Sequence, residues 1–163
     1  MINHYICVIN NKTTKNMYNT VKMFHSYWAY LVLLVLVMAV VNSIIKQVGK
    51  KDYDNNKDYS LFLIAFILSH IQLLLGLVLY FVSPRFNLFS QSGMGEIMKS
   101  SVDRLYLVEH PLINIIAIAL ITIGYAKHKK QLLSNGKFKT ISVFYGIGLV
   151  LFLSRIPWST WLG

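Results

Sequence analysis

The feature that most limits what this chain can fold into is a long run without a formal charge. Phe24 to Ile45 reads FHSYWAYLVLLVLVMAVVNSII, 22 residues closed by Lys46. A helix rises about 1.5 Å per residue, so roughly 20 residues cross the ~30 Å hydrocarbon layer of a bilayer. Tyr59–Val82 adds 24 such residues, and Leu105–Ala126 another 22 with a single acid, Glu109. A fourth run, Ile141–Leu153, is 13 residues long between Lys139 and Arg155. That length also suits an interfacial helix. Lys139 and Arg155 can snorkel, however, and the tail Ile156-Pro157-Trp158-Ser159-Thr160-Trp161 supplies interfacial aromatics, so we read a fourth span.

Inside lipid the backbone must satisfy its own hydrogen bonds, which makes these spans helices. The expected fold is therefore all-α: an integral-membrane four-helix bundle over residues 24–163, with spans at 24–45, 59–82, 105–126 and 139–157. A polar tail, residues 1–23, precedes it, and Met17 is an alternative start. Charged residues make up 13% of the chain, against about 25% in soluble domains. The net charge of +10 does not point to nucleic acid, because the sixteen Lys and Arg lie outside the apolar runs rather than along one folded face. The lone Cys7 rules out a disulfide scaffold or a thiolate zinc site. No HExxH, P-loop, GxGxxG or Ser/His/Asp order occurs, which leaves hydrolase and nucleotide readings without support.

Loop charges orient the spans. Lys46, Lys50, Lys51 and Lys57 follow the first, and Lys127, Lys129, Lys130, Lys137 and Lys139 follow the third. The opposite side carries Lys12, Lys15, Lys22, Arg85, Lys99, Arg104 and Arg155. The positive-inside rule thus puts both termini outside.

Polar and small residues mark the packed faces of membrane helices. One stripe of the first span is His25, Ala29, Val32, Leu36, Ala39 and Ser43; one of the third is His110, Asn114, Ala117, Ile121, Gly124 and His128. The second span turns Ser69, Gln72, Gly76, Tyr80 and Ser83 to one side, with His70 at its edge. His25 and His110 share a depth near the outer end, whereas His70 is twelve residues from Val82, near the bilayer centre. Two imidazoles at one level on separate helices are what bis-histidine haem ligation requires. His70, an ionisable group in mid-membrane, is an alternative ligand or a proton-handling group, although a bond to Gln72, Tyr80 or a backbone carbonyl would also satisfy it. Glu109 could orient His110 or sit among headgroups. His128, in Ala-Lys-His-Lys-Lys, reads as solvated, as does His4. The segment from Ser83 to Arg104 reads as an ordinary loop with room to lie over the outer mouth, and its MGEIMKSSVDR part as a lesser candidate for a short helix. Trp28, Tyr80 and Tyr125 read as interfacial anchors.

Five short motifs, His25-Ser26, Ser69-His70-Ile71-Gln72-Leu73-Leu74-Leu75-Gly76, Ser83-Pro84, Val108-Glu109-His110 and Ile156-Pro157-Trp158, resemble those of a group of small four-helix cytochrome b-like bacterial membrane proteins. The order His25, Gln72-Leu73-Leu74-Leu75-Gly76, His110 is similar, more faintly, to one half of the haem A synthase family. Its acid before the first histidine and its outer-loop cysteines are missing here, so that family's oxidation chemistry is not expected. The resemblance implies a protein of the bacterial cytoplasmic membrane. One b-type haem would be bound near the outer face through His25 and His110, with His70 as the alternative. Electrons would pass to or from a quinone or a respiratory-chain protein, making the chain a carrier rather than a stand-alone catalyst. The competing expectation is a cofactor-free small subunit or assembly factor of a respiratory complex.

Overall fold

A computed structural model describes residues 2–161, with side chains from residue 15 onward. His4 and Cys7 lie outside the described side chains. Four long helices dominate: α1 (Ile2–Val48), α2 (Lys57–Val82), α6 (His110–Lys129) and α7 (Ser134–Ser154). All four are long and apolar enough to cross a bilayer, and the protein is a multi-pass membrane protein. The fourth span starts at Ser134 and ends at Ser154, not at 139 and 157. Its polar first turns extend the short apolar run to full length.

Between α2 and α6 the chain is largely helical rather than an ordinary loop. A 3-10 turn (Pro84–Asn87) leads to three short helices, α3 (Leu88–Gln91), α4 (Gly93–Lys99) and α5 (Ser101–Arg104). Ile97 of α4 is buried, which pins this layer to the bundle end. A short α8 (Trp158–Trp161) closes the described chain.

Around the bundle the order is α1, α2, α6, α7, with α7 back against α1. The first and third spans are therefore diagonal partners, and side chains from both point at the bundle axis. The expected stripes face inward: Val32, Leu36, Ala39 and Ser43 of α1 and Ala117, Ile121, Gly124 and His128 of α6 are buried. Membrane helices have little hydrophobic drive to associate, so close packing carries the contact. Gly148 illustrates it: a Cβ there would lie 2.9 Å from Cγ1 of Ile121.

Packing is uneven along the bundle axis. The core, built around Leu36, Phe62, Ile121, Phe138, Ile141 and Tyr145, fills the half near the 49–56 and 130–133 loops, here called the lysine end. There Tyr145 reaches across the bundle to donate to the Phe62 carbonyl at 3.0 Å. Asp58, 2% exposed, accepts from Lys46 Nζ at 2.7 Å and Asn42 at 2.9 Å, tying α1 to α2. The other half, the histidine end, is hollow.

Candidate functional site

A cavity of about 210 Å³ lies in that hollow half, lined by His25, Gln72, Gly76, Tyr80, His110 and Asn114 among others. Two prolines of the sequence shape it. Pro157 lies two residues beyond the α7 cap and stops that helix at Ser154, because a residue before proline avoids the helical region. Beyond it lies α8, whose Trp161 stacks on Tyr30 of α1 at 4.3 Å.

Pro111 acts on the third span. It has no N–H and its ring crowds the carbonyl of residue i−4, which is Leu107. The helix widens into a π turn over Leu105–Glu109, where the His110 N–H bonds Leu105 O. Leu107 O, whose α-helical donor would be the N–H that Pro111 lacks, accepts the Tyr80 hydroxyl at 3.0 Å. A π turn re-aims the side chain beside it, and here that side chain is His110.

The structure brings His25 and His110 together. Their ring centroids are 6.3 Å apart, with planes at 76°. His110 Nδ1 lies 2.7 Å from Arg155 O at the α7 cap. That carbonyl can only accept, so Nδ1 carries the proton and Nε2 keeps its lone pair. Glu109 does not touch the imidazole. Its carboxylate bonds Arg104 Nε at 2.9 Å and lies 3.4 Å from Arg155 Nε, so it holds the residue whose carbonyl holds His110.

His25 is held differently. Gln72 donates to the His25 backbone carbonyl at 3.1 Å. The ring lies against the glycine gap in α2, where a Cβ on Gly76 would be 3.2 Å from His25 Cε1. His25 Nδ1 and Gln72 Oε1 are buried without a hydrogen-bond partner. Buried polar atoms are nearly always paired, and both of these unpaired atoms belong to residues that line the cavity.

His70 stands apart. It does not line the cavity; its Nδ1 lies 2.8 Å from Phe66 O and its Nε2 3.2 Å from the Thr122 hydroxyl. A neutral imidazole is satisfied there without a cofactor. His128 is not solvated but 1% exposed at the lysine end. Its Nδ1 donates to Tyr125 O at 2.7 Å, and its Nε2 faces the Tyr53 hydroxyl at 3.4 Å. Burial pushes the Tyr53 phenol above its ordinary pKa, so it stays protonated and able to donate. Trp28, Tyr80 and Tyr125 are not merely anchors: Trp28 Nε1 donates to Leu68 O at 3.1 Å and Tyr125 to the Tyr59 hydroxyl at 3.0 Å.

Sequence reasoning missed Pro111, Arg155, Lys22 and Arg85 as parts of this region. The proline directly after a histidine inside an apolar run was the available signal for the first. Arg155 acts through its main chain, which residue type does not announce. Lys22 and Arg85 reach the cavity mouth only through the fold. No family model, curated protein or solved structure matches the chain.

Proposed function

We propose that the hollow half holds one b-type haem with His25 and His110 as its axial ligands, and that the protein carries electrons in a bacterial cytoplasmic membrane. The observation that carries this reading is the 6.3 Å separation of the two imidazole centroids inside a cavity. An imidazole nitrogen sits about 2 Å from a first-row metal, with the ring centre about 1 Å farther, so two rings sharing one axial metal are about 6 Å apart. Among the described residues no three His, Cys, Asp or Glu side chains converge as a metal cluster. In this reading the chain would offer two ligands, and the porphyrin would supply the others.

When bound, such a group supplies one-electron chemistry, with a potential set by its ligands and its dry surroundings. The chain's own part is positional. Arg155 O holds the His110 proton on Nδ1, which keeps Nε2 basic and fixes the ring plane. Gln72 and Gly76 fix His25 from α2. His70, satisfied elsewhere, takes no part in ligation. The lysine end, with nine lysines against seven basic residues opposite, faces the cytoplasm in this reading. A quinone in the bilayer or a respiratory-chain protein is then the electron partner.

The test is a reduced-minus-oxidised optical spectrum of detergent-purified protein from haem-replete cells. We expect a low-spin b-type spectrum that His25→Ala and His110→Ala abolish and His70→Ala preserves. A wild-type preparation without haem absorption ends the reading and leaves the cofactor-free subunit.

A further inference from the structure

The cavity has two chemically different ends, and one of them has no part in histidine ligation. Toward the bundle interior its walls include Val32, Leu33, Leu73, Ile118 and Phe152. Its outer rim is Tyr18, Lys22, Arg85, Tyr106 and Thr160. Among the described residues Lys22 and Arg85 are the only formally charged ones in the lining, and both are positive. Two carboxylates of this end are engaged away from the rim, Glu109 with Arg104 and Arg155 and Glu96 with Lys99, while the third, Asp103, pairs with Arg85 itself. The Arg85 guanidinium lies over the Tyr106 ring, 5.0 Å from its centroid, and its Nη1 meets Asp103. Apart from that bond to Asp103, its guanidinium N–H groups make no hydrogen bond among the described residues. Tyr106 and Thr160 hydroxyls bond each other on the same rim.

We propose that this rim is an anion subsite, in which Arg85 and Lys22 receive the carboxylate end of a membrane-partitioning amphiphile whose apolar body fills the cavity. The inference rests on the reading of the cavity as a ligand site and names the acid end of that ligand. The propionates of a porphyrin and the head of a fatty acid share this chemistry. A carboxylate brought to the edge of an apolar cleft without a counter-charge is strongly disfavoured. Lys22 and Arg85 supply that counter-charge through charge-assisted hydrogen bonds, a net of one positive charge with Asp103 on Arg85.

The experiment titrates the full-length protein in detergent with metal-free protoporphyrin IX and with its dimethyl ester, read by porphyrin fluorescence. Without iron, binding does not depend on axial ligation. The acid is expected to bind about tenfold or more tightly than the ester. Arg85→Gln and Lys22→Gln weaken the acid several-fold and leave the ester unchanged. Asp103→Asn, which frees Arg85, strengthens the acid. Displacement by palmitate extends the subsite to fatty acids, and failure of palmitate to compete confines it to the porphyrin acid; the anion subsite stands in both cases. It is overturned if acid and ester bind alike, if neither binds, or if Arg85→Gln and Asp103→Asn weaken binding equally, as loss of a purely structural ion pair would. The haem reading fails separately, when iron porphyrin gives no bis-imidazole spectrum while the preference for acid over ester persists.

Discussion

Gly76 is the point at which the scaffold and the histidine pair touch, and Gly76→Ala separates the two. The new methyl carbon would stand 3.2 Å from His25 Cε1 and 3.6 Å from Nδ1. Carbon atoms rest at about 3.5–4.0 Å, so the imidazole must retreat by about 0.3–0.8 Å. The ring hangs on two side-chain torsions and can swing, which keeps the packing cost below about 1 kcal/mol. Alanine's advantage over glycine inside a helix, about 1 kcal/mol, offsets that cost. Thermal unfolding should therefore move by no more than a few degrees. On the proposed haem reading ligation is less forgiving, since a bound site tolerates only about 0.5 Å of misplacement. The expected result is near-native melting, followed by circular dichroism in detergent, with a clearly reduced haem-to-protein ratio by absorbance. Gly146→Ala is the control: its methyl meets nothing nearer than Val40 Cγ1 at 4.0 Å, so the haem ratio should stay put and melting should hold or rise by the helix gain of about 1 kcal/mol. The reasoning is refuted if Gly76→Ala keeps full occupancy and an unchanged spectrum, or if both variants lose haem alike.

Three further expectations concern the scaffold. Gly124→Ala would place a Cβ 2.5 Å from Phe144 Cβ, an atom too near the α7 backbone to rotate away. The helices must part, at about 1–3 kcal/mol, and equilibrium unfolding in mixed micelles should show that loss where Gly146→Ala shows none. Asp58→Ala leaves Lys46, itself 26% exposed, without its buried partner. The cost should be about 2–3 kcal/mol, toward the low end for a broken buried pair, and a stability unchanged from wild type would contradict the latch. Asp54 accepts the N–H groups of Asn56 and Lys57 at 2.8 and 3.0 Å, which hold its carboxyl below the ordinary aspartate pKa. With the folded value depressed, this cap contributes stability above the unfolded pKa and loses it as pH falls through the folded one. A carbon-detected NMR titration should give a midpoint below that of an ordinary aspartate, and a normal or raised midpoint would count against the capping role.

Much of the scaffold was legible in the order of residues. Charge-free runs of membrane length can only be helices in lipid, and the inward stripes of α1 and α6 follow from a 3.6-residue period. The shared depth of His25 and His110 was a matter of counting from the span ends. Residue identity misled where environment decides the outcome. His128 sits among lysines in the chain, yet it turns inward onto Tyr53 and Phe62. The fourth apolar run looked short because its helix begins in a polar turn, Ser134 to Thr140.

The sequence by itself determined that the protein is a four-helix membrane bundle and which stripes face inward, because hydropathy and helical period are properties of neighbouring residues. Only the tertiary structure decided that α1 and α6 are diagonal partners, that one half of the bundle is packed and the other hollow, and that His70 lies outside the cavity. Those outcomes depend on how far each helix is rotated and where it stops. Pro111 and Pro157 set both locally, but their effect on His110 exists only once a carbonyl from α7 and a hydroxyl from α2 have come within bonding distance of the third span.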